Sequence, residues 1–420
     1  MPSFSQFTSS ISAESAFTVL AAARKLKAAG KRVVELEIGD SPFPATAAAQ
    51  QAALASIQAG ESHYGPSTGL PEFRQAAAEY VSRRYGLNVA AENIIAGQGA
   101  KPFQLFFCEA FLNPGDGVLV FSPNFPTYLP NIARRGGRVV ISELRQANDF
   151  RPSLQDIERF LAEDKKPRAI FLNSPHNPTG GVATEDDLRA IANLVRGRDI
   201  VVFSDEPYDR MVWRGQHHSI LAQPGMLEQC VAAYTFSKSF SMSGWRLGFS
   251  VSSRSVADMF ALLTNTTLSC VPPFVQRAGA AALSDASGEC ERRMDMFRKK
   301  LDILIPGLNA IEGIRCLDPA GTFYAFPSVK DVCNRLAITS HGLAMYLLEG
   351  ADDAFGVACL GGECFGDAGA GFLRFSCAEA DEQLRAALDF LPIALSRADR
   401  IEKFLAANAA FRLAKPYPSR

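Results

Sequence analysis

The stretch TFSKSFSMSGWRLG, residues 235–248, decides the reading of this chain. It sets Lys238 just behind the apolar run CVAAYTF, 230–236, which reads as a buried strand. Hydroxyls crowd the lysine in sequence (Thr235, Ser237, Ser239 and Ser241), and Arg246 follows behind Gly-Trp. An amine at a strand's end, beside hydroxyls and a guanidinium, suits an aldehyde cofactor that carries a phosphate. The amine forms a Schiff base and the other groups hold the phosphate. Read singly, Ser-Lys is an ordinary polar loop with a surface lysine. Other segments change that reading.

In VVFSDEPY, 201–208, an apolar strand ends in Asp205, with Tyr208 three residues on. Pyridoxal phosphate serves as an electron sink only while its ring nitrogen stays protonated, and an adjacent carboxylate raises that nitrogen's pKa. The Tyr208 phenol can hydrogen-bond the ring's 3-oxygen. Alone, a strand-terminal Asp is usually a helix N-cap. NSPHNPTGG, 173–181, follows the apolar run 169–172, and its prolines and glycines give Asn177 a fixed direction. Alone, it is a turn. AGQGAKPF, 96–103, is a glycine-bearing loop opening into the helical run FQLFFCEAFL. Such a loop presents backbone N–H groups to an anion, and Gly99, Ala100 and Lys101 form the expected cradle.

The order of these segments resembles the class I/II aminotransferase family of fold-type I pyridoxal-phosphate enzymes, nearest the bacterial and archaeal aspartate aminotransferase branch. The likeness runs from about residue 38 to about 376 and is far more specific for fold and cofactor than for substrate. It implies pyridoxal 5'-phosphate held by Lys238 as an internal aldimine, the same lysine later shuttling a proton at the substrate's alpha carbon. It implies Asp205 against the pyridine nitrogen, and Tyr208 and Asn177 on the 3-oxygen. Thr235, Ser237, Arg246 and the Gly99–Ala100 backbone go to the phosphate, and Phe125 of SPNFPTY stacks on the ring. Tyr64 of HYGPSTG reaches across a homodimer to the neighbour's phosphate. Arg374 of FLRFSCA takes the substrate's alpha-carboxylate, its planar fork matching two carboxylate oxygens. Gly39 lines that pocket.

The implied activity is exchange of an amino group between an amino acid and a 2-oxo acid. Lys101 matches a lysine that binds a side-chain carboxylate, so aspartate or glutamate is the expected donor and 2-oxoglutarate the expected acceptor. A second reading is beta or gamma elimination, replacement or C–C bond formation, as in the similar aminocyclopropane-carboxylate synthases that act on S-adenosylmethionine. It draws on Gly361-Gly362, where the family carries Pro-Gly, and on Asn124, Cys359 and Cys364 near the expected pocket. A third reading, a regulator with an aminotransferase-like sensor domain, needs a DNA-binding domain, and only about 12 polar residues precede the first expected helix.

Composition describes an ordinary soluble globular protein. The chain has 420 residues, 47% hydrophobic and 21% charged, with 43 basic and 44 acidic side chains and a net charge of −1. That balance makes no electrostatic case for nucleic acid or an anionic membrane. No apolar run reaches a membrane span and no signal peptide is evident, so a cytoplasmic location is expected. The nine cysteines are scattered and odd in number, and the five histidines form no metal-ligand pattern, so free thiols and no metal are expected.

The pattern along the chain predicts a helix at 13–30 and a strand at Val33–Ile38. Strands follow at 118–121, 138–141, 169–173, 200–205, 231–236 and 247–251, alternating with helices. This is an α/β class with a mostly parallel sheet between helices. Past 290 a charged helix, 291–311, leads to strands around Cys316, at Phe323–Phe326, Val357–Leu360 and Leu373–Ser376. The glycine-rich run 361–372 reads as a loop near the site's mouth. The expected division is a large cofactor-binding domain, 45–290, and a smaller α+β domain from 1–44 and 291–420; the family fold assigns the N-terminal segment to the latter.

Overall fold

The computed structural model describes residues 2–9, 11 and 14–418, with only the backbone of Gln6. Its centre is a sheet of seven strands: β2 Ile94–Gly97, β3 Gly117–Ser122, β4 Arg138–Glu143, β5 Pro167–Asn173, β6 Val201–Asp205, β7 Cys230–Thr235 and β8 Gly248–Val251. β1, Arg32–Glu35, lies elsewhere. The order is β2-β8-β7-β6-β5-β3-β4. Neighbours from β4 to β7 run parallel, and β8 alone runs antiparallel, to both β7 and β2.

Every residue of β6, all of β5 after Arg168 and all of β7 before Thr235 are buried. Helices cover both faces, so these strands read as continuous apolar runs. Alternation still sorts their side chains. Phe171 and Phe203 face one core with Phe107, their centroids 5.2–5.3 Å apart. Ile170, Leu172 and Val202 face the other. All the parallel strands point the same way, so their C-terminal ends share one edge.

Two small sheets stand beside this one. β1 runs parallel to β10, Phe355–Ala358, and β11, Leu360–Gly361, joins β12, Leu373–Ser376, and β9, Tyr324–Ala325. Leu36 knits them together: its N–H donates to Ala358 O at 2.9 Å and its carbonyl accepts from Ser376 N at 2.7 Å. The helix Glu289–Asn309, 21 residues, packs on this region through Phe297, Leu301 and Leu304.

The expected N-terminal helix spans Ser15–Ala28; residue 13 lies outside the described residues. The expected strand at Cys316 is a correction: the backbone there makes only an isolated bridge, Arg315 to Ser328, and Cys316 N instead donates to the Asn309 side chain at 2.8 Å. The expected strand Phe323–Phe326 shortens to β9, and Val357–Leu360 divides between β10 and β11. The run 361–372 folds into two 3₁₀ turns, Gly362–Phe365 and Asp367–Gly369. Among the described residues, no helix is long and apolar enough to cross a membrane.

Candidate active site

The shared C-terminal edge of β5, β6 and β7 floors a cavity of about 540 Å³. The small sheets form its opposite wall through Gly39, Tyr324 and Arg374. Ligands settle at such edges because strand ends and the turns after them converge there. Lys101, Lys238, Arg246 and Arg374 bring cations to it, against the carboxylates of Glu14, Asp40 and Asp205. The excess is positive, which suits an anionic ligand.

Asp205 closes β6 and is 4% exposed. One carboxylate oxygen accepts from Tyr128 Oη at 2.6 Å and Gln104 Nε2 at 3.3 Å. The other is buried with no hydrogen-bond partner. Burial raises this carboxyl to about 6, offset in part by those two donors and by Lys238. A buried acceptor held without a donor is costly unless something supplies one. Glu206, the next residue, points to the other face and accepts from Ser204, Ser219 and Tyr234, each at 2.7 Å. That buried triad of hydroxyls fixes the turn carrying Asp205 and Tyr208.

Lys238 follows β7 by three residues, and its Nζ donates to Gly39 O at 2.5 Å. Tyr208 Oη lies 3.0 Å from Tyr324 Oη. A Cβ on Gly39 would fall 1.8 Å from that Tyr324 oxygen, so only glycine fits there. Asn173 Nδ2 donates to Asp205 O at 2.8 Å, and its Oδ1 accepts from Asn177 N at 2.9 Å. Asn177 in turn accepts from Arg374 Nη1 at 2.9 Å, while Arg374 Nη2 donates to Glu37 O at 2.6 Å. Arg374 is buried between the Tyr324 and Phe365 rings, its guanidinium carbon 4.3 and 4.9 Å from their centroids. Glu37 itself is fully buried with both carboxyl oxygens unpartnered, and burial raises it to about 7.

A second group gathers at one end. Thr235 Oγ1 lies 2.9 Å from Ser237 Oγ and accepts from Ser237 N at 3.2 Å. Arg246 Nη2 donates to Gln98 O at 3.2 Å. Gly99, at φ +83°, has no room for a side chain, because a Cβ would sit 2.7 Å from Arg246 Nη2. The helix Lys101–Phe111 begins here with Ala100 as its N-cap; Pro102 has no N–H and Phe103 N donates to Ala100 O at 3.1 Å, which leaves the Ala100 and Lys101 amides for an anion. Hydroxyls, a guanidinium and a helix start make a phosphate cradle. Phe125 lines the cavity, and Lys101 Nζ lies 5.5 Å from its ring centroid. The donor set fits pyridoxal 5'-phosphate: an orphan acid for a ring nitrogen, an aromatic wall, an amine and an anion cradle.

The structure thus brings together Gly39, Ala100, Lys101, Phe125, Asn177, Asp205, Tyr208, Thr235, Ser237, Lys238, Arg246 and Arg374 along the cavity, with Gly99 backing Arg246. Tyr64 stands apart from them, 91% exposed. Asn124, Cys359 and Cys364 do not line the cavity. Gly361 and Gly362 have packing reasons: a Cβ would meet His341 Cα at 2.3 Å or Gly369 O at 1.8 Å. Sequence reasoning missed Tyr128, Gln104, Tyr324 and Glu14. Tyr128 was within sight, three residues past Phe125 and at the start of a helix.

The family model for aminotransferases of class I and II matches residues 31–391. The chain is 34% identical over 366 residues to an aspartate aminotransferase of Pyrococcus abyssi, covering 86% of this chain and 90% of that one. It is 31% identical over 368 residues to aromatic-amino-acid aminotransferase 2 of Thermococcus litoralis, covering 85% and 90%. The solved aspartate aminotransferase of Thermus thermophilus with maleate superposes with a TM-score of 0.87 at 29% identity, covering 94% of this chain and all of that one.

Proposed function

This chain belongs to the class I and II aminotransferase family, whose cofactor is pyridoxal 5'-phosphate, and we propose that as such an aminotransferase it works on acidic amino acids. The donor is aspartate or glutamate and the acceptor a 2-oxo acid. One observation carries this: the Lys238 amine lies in a cavity that also holds two well-placed cations, buried Arg374 in one wall and half-exposed Lys101 at the mouth.

When bound, pyridoxal phosphate supplies a ring that accepts the electron pair left at the substrate's alpha carbon after proton removal. Lys238 holds and moves that proton. The free Asp205 oxygen keeps the ring nitrogen's proton in place, and Tyr128 and Gln104 keep Asp205 aimed. Tyr208 and Asn177 hold the 3-oxygen, and Phe125 covers the ring. Thr235, Ser237, Arg246 and the Gly99–Ala100 backbone bind the phosphate. Arg374, with Gly39 beside it, takes the alpha-carboxylate, already oriented by Asn177 and Glu37 O. Lys101 meets the side-chain carboxylate.

The proposed active unit is a homodimer in which Tyr64 completes the neighbour's phosphate site. A second, largely apolar cavity of about 750 Å³ supports it; Leu54, Ile57, Trp245 and Phe274 line it, and Arg246 borders both cavities. The proposed domains are 45–290, and 1–44 with 291–420; the pairing of β1 with β10 supports that division. All nine cysteines are unpaired, which supports a reducing, cytoplasmic setting.

A single-turnover experiment tests the reaction. Holoenzyme mixed with aspartate and no acceptor is expected to release one 2-oxo acid per site without ammonia. Ammonia or a cleaved side-chain fragment would sink transamination in favour of side-chain bond chemistry.

A further inference from the structure

Glu14 precedes the helix Ser15–Ala28 at the position whose side chain ordinarily caps a helix, yet it makes no capping bond. It forms an ion pair with Lys101 instead. The two residues belong to different parts of the fold. The helix after Glu14 is anchored by Val19 and Ala23 in the same cluster as Ala358 and Leu360 of the small sheets. Lys101 opens a helix packed on the seven-stranded sheet. Glu14 and Lys101 also line both the active-site cavity and a neighbouring groove of about 740 Å³ that passes Phe7, Arg134 and Cys364. The ion pair is therefore the partition between two spaces. Arg134 lies 5.0 Å from the Phe7 ring centroid, which holds the preceding turn on the same surface.

We infer that Glu14 is a specificity-determining residue, an internal carboxylate that occupies Lys101 until a dicarboxylic substrate displaces it. The inference rests on Lys101 being the partner of the substrate's side-chain carboxylate. The exchange is charge for charge at a partly solvated place, with the Lys101 and Glu14 side chains 44% and 20% exposed. Neither carboxylate has to be stripped of water without compensation, so the swap is feasible. An uncharged side chain leaves the pair closed and meets Ala16, Phe17 and Phe125 beside it. Glu14 thus taxes acidic substrates and makes the pocket's far end electrically neutral for apolar ones. Specificity is a difference of two affinities, and Glu14 acts on one of them.

The test uses holoenzyme carrying Glu14→Gln, which keeps shape and removes charge. The ratio of kcat/KM for aspartate to that for phenylalanine is expected to rise about 2- to 5-fold, the range for a partly exposed ion pair. The dissociation constant of succinate, read from the cofactor's absorbance, is expected to fall by a similar factor. In a Lys101→Ala background, Glu14→Gln is expected to change neither quantity. An unchanged or lower ratio in the single variant, with unchanged or weaker succinate binding, overturns the inference and makes Glu14 a support for Lys101. The two readings fail differently. If Lys101→Ala leaves the parent's ratio untouched, the acidic-substrate reading falls and takes Glu14 with it. If Lys101→Ala lowers the ratio and Glu14→Gln does not raise it, only the role of Glu14 falls.

Discussion

At the floor of the cavity Asp205 is 4% exposed and held by Tyr128, Gln104 and, through its backbone, Asn173. At the mouth the Lys101 side chain is 44% exposed and held by one ion pair and one ring. The floor is over-determined: each group is oriented by another that is itself buried. The mouth is a single contact between two parts of the fold. On the proposed function, the floor fixes which bond is activated and the mouth adjusts which side chain is admitted. Their energies differ in the same direction, since removing one partner of a buried charged contact leaves the other stranded, whereas a solvated pair dissolves cheaply.

The largest effect is expected at the floor from Lys238→Ala. Losing the proton carrier alone removes about 10²–10⁴-fold, and losing the covalent anchor adds to it. Borohydride reduction and peptide mapping check the anchor; label on any lysine other than Lys238 would contradict it. Asp205→Asn is expected to retain the cofactor and lose about 10²–10³-fold in kcat, because an amide cannot hold a ring proton by charge. Near-normal turnover would break the contrast between floor and mouth. Arg374→Ala is expected to cost every amino acid alike, about 2–5 kcal/mol in kcat/KM, since all share the alpha-carboxylate.

Glu37 gives a pH test of the same buried wall. Its raised carboxyl means the folded chain binds that proton more tightly than the unfolded chain does. The resulting stability is fully present below about pH 4.5 and is lost as pH rises through about 7. Asp205 and Glu206, raised to about 6 and about 7, act with the same sign. Glu37→Gln is therefore expected to flatten part of the apoprotein's loss of stability between pH 5 and pH 8, by on the order of 2–3 kcal/mol. Urea unfolding at the two pH values measures it, and parallel curves for parent and variant would remove Glu37 from the account. The smallest effects belong to the mouth: Lys101→Ala is expected to lower the aspartate-to-alanine turnover ratio about 2- to 5-fold, the size of a charged contact partly open to water.

Legibility in the sequence follows the same contrast. Asp205 and Lys238 announce themselves because each ends or follows a mostly apolar strand, and β5, β6 and β7 are legible because both faces are buried. The small sheets were harder to read. β9 and β11 have two residues each, too few for alternation to register, and Cys316 is held by a side chain rather than a strand. Gln104 sits in a helical run where its neighbours are core phenylalanines, so nothing local separates it from a polar interruption. Glu14 and Lys101 are 87 residues apart, and no spacing rule connects them. Tyr64 was legible only by likeness, and in the single chain it stands exposed.

The bonding of Leu36 to both Ala358 and Ser376 also has a consequence in time. During synthesis the segment RVVELEI, 32–38, leaves the ribosome well before its partners at Ala358 and Ser376. At ordinary elongation rates the interval from Ile38 to Ser376 is about 20–70 s. For that long an apolar strand edge stands unpaired, and Arg374 and Gly39 cannot meet. A ribosome stalled between β8 and β10 would leave a chain with its great sheet formed and its opposite wall missing. Over that interval the segment 32–38 is open to chaperones and proteases.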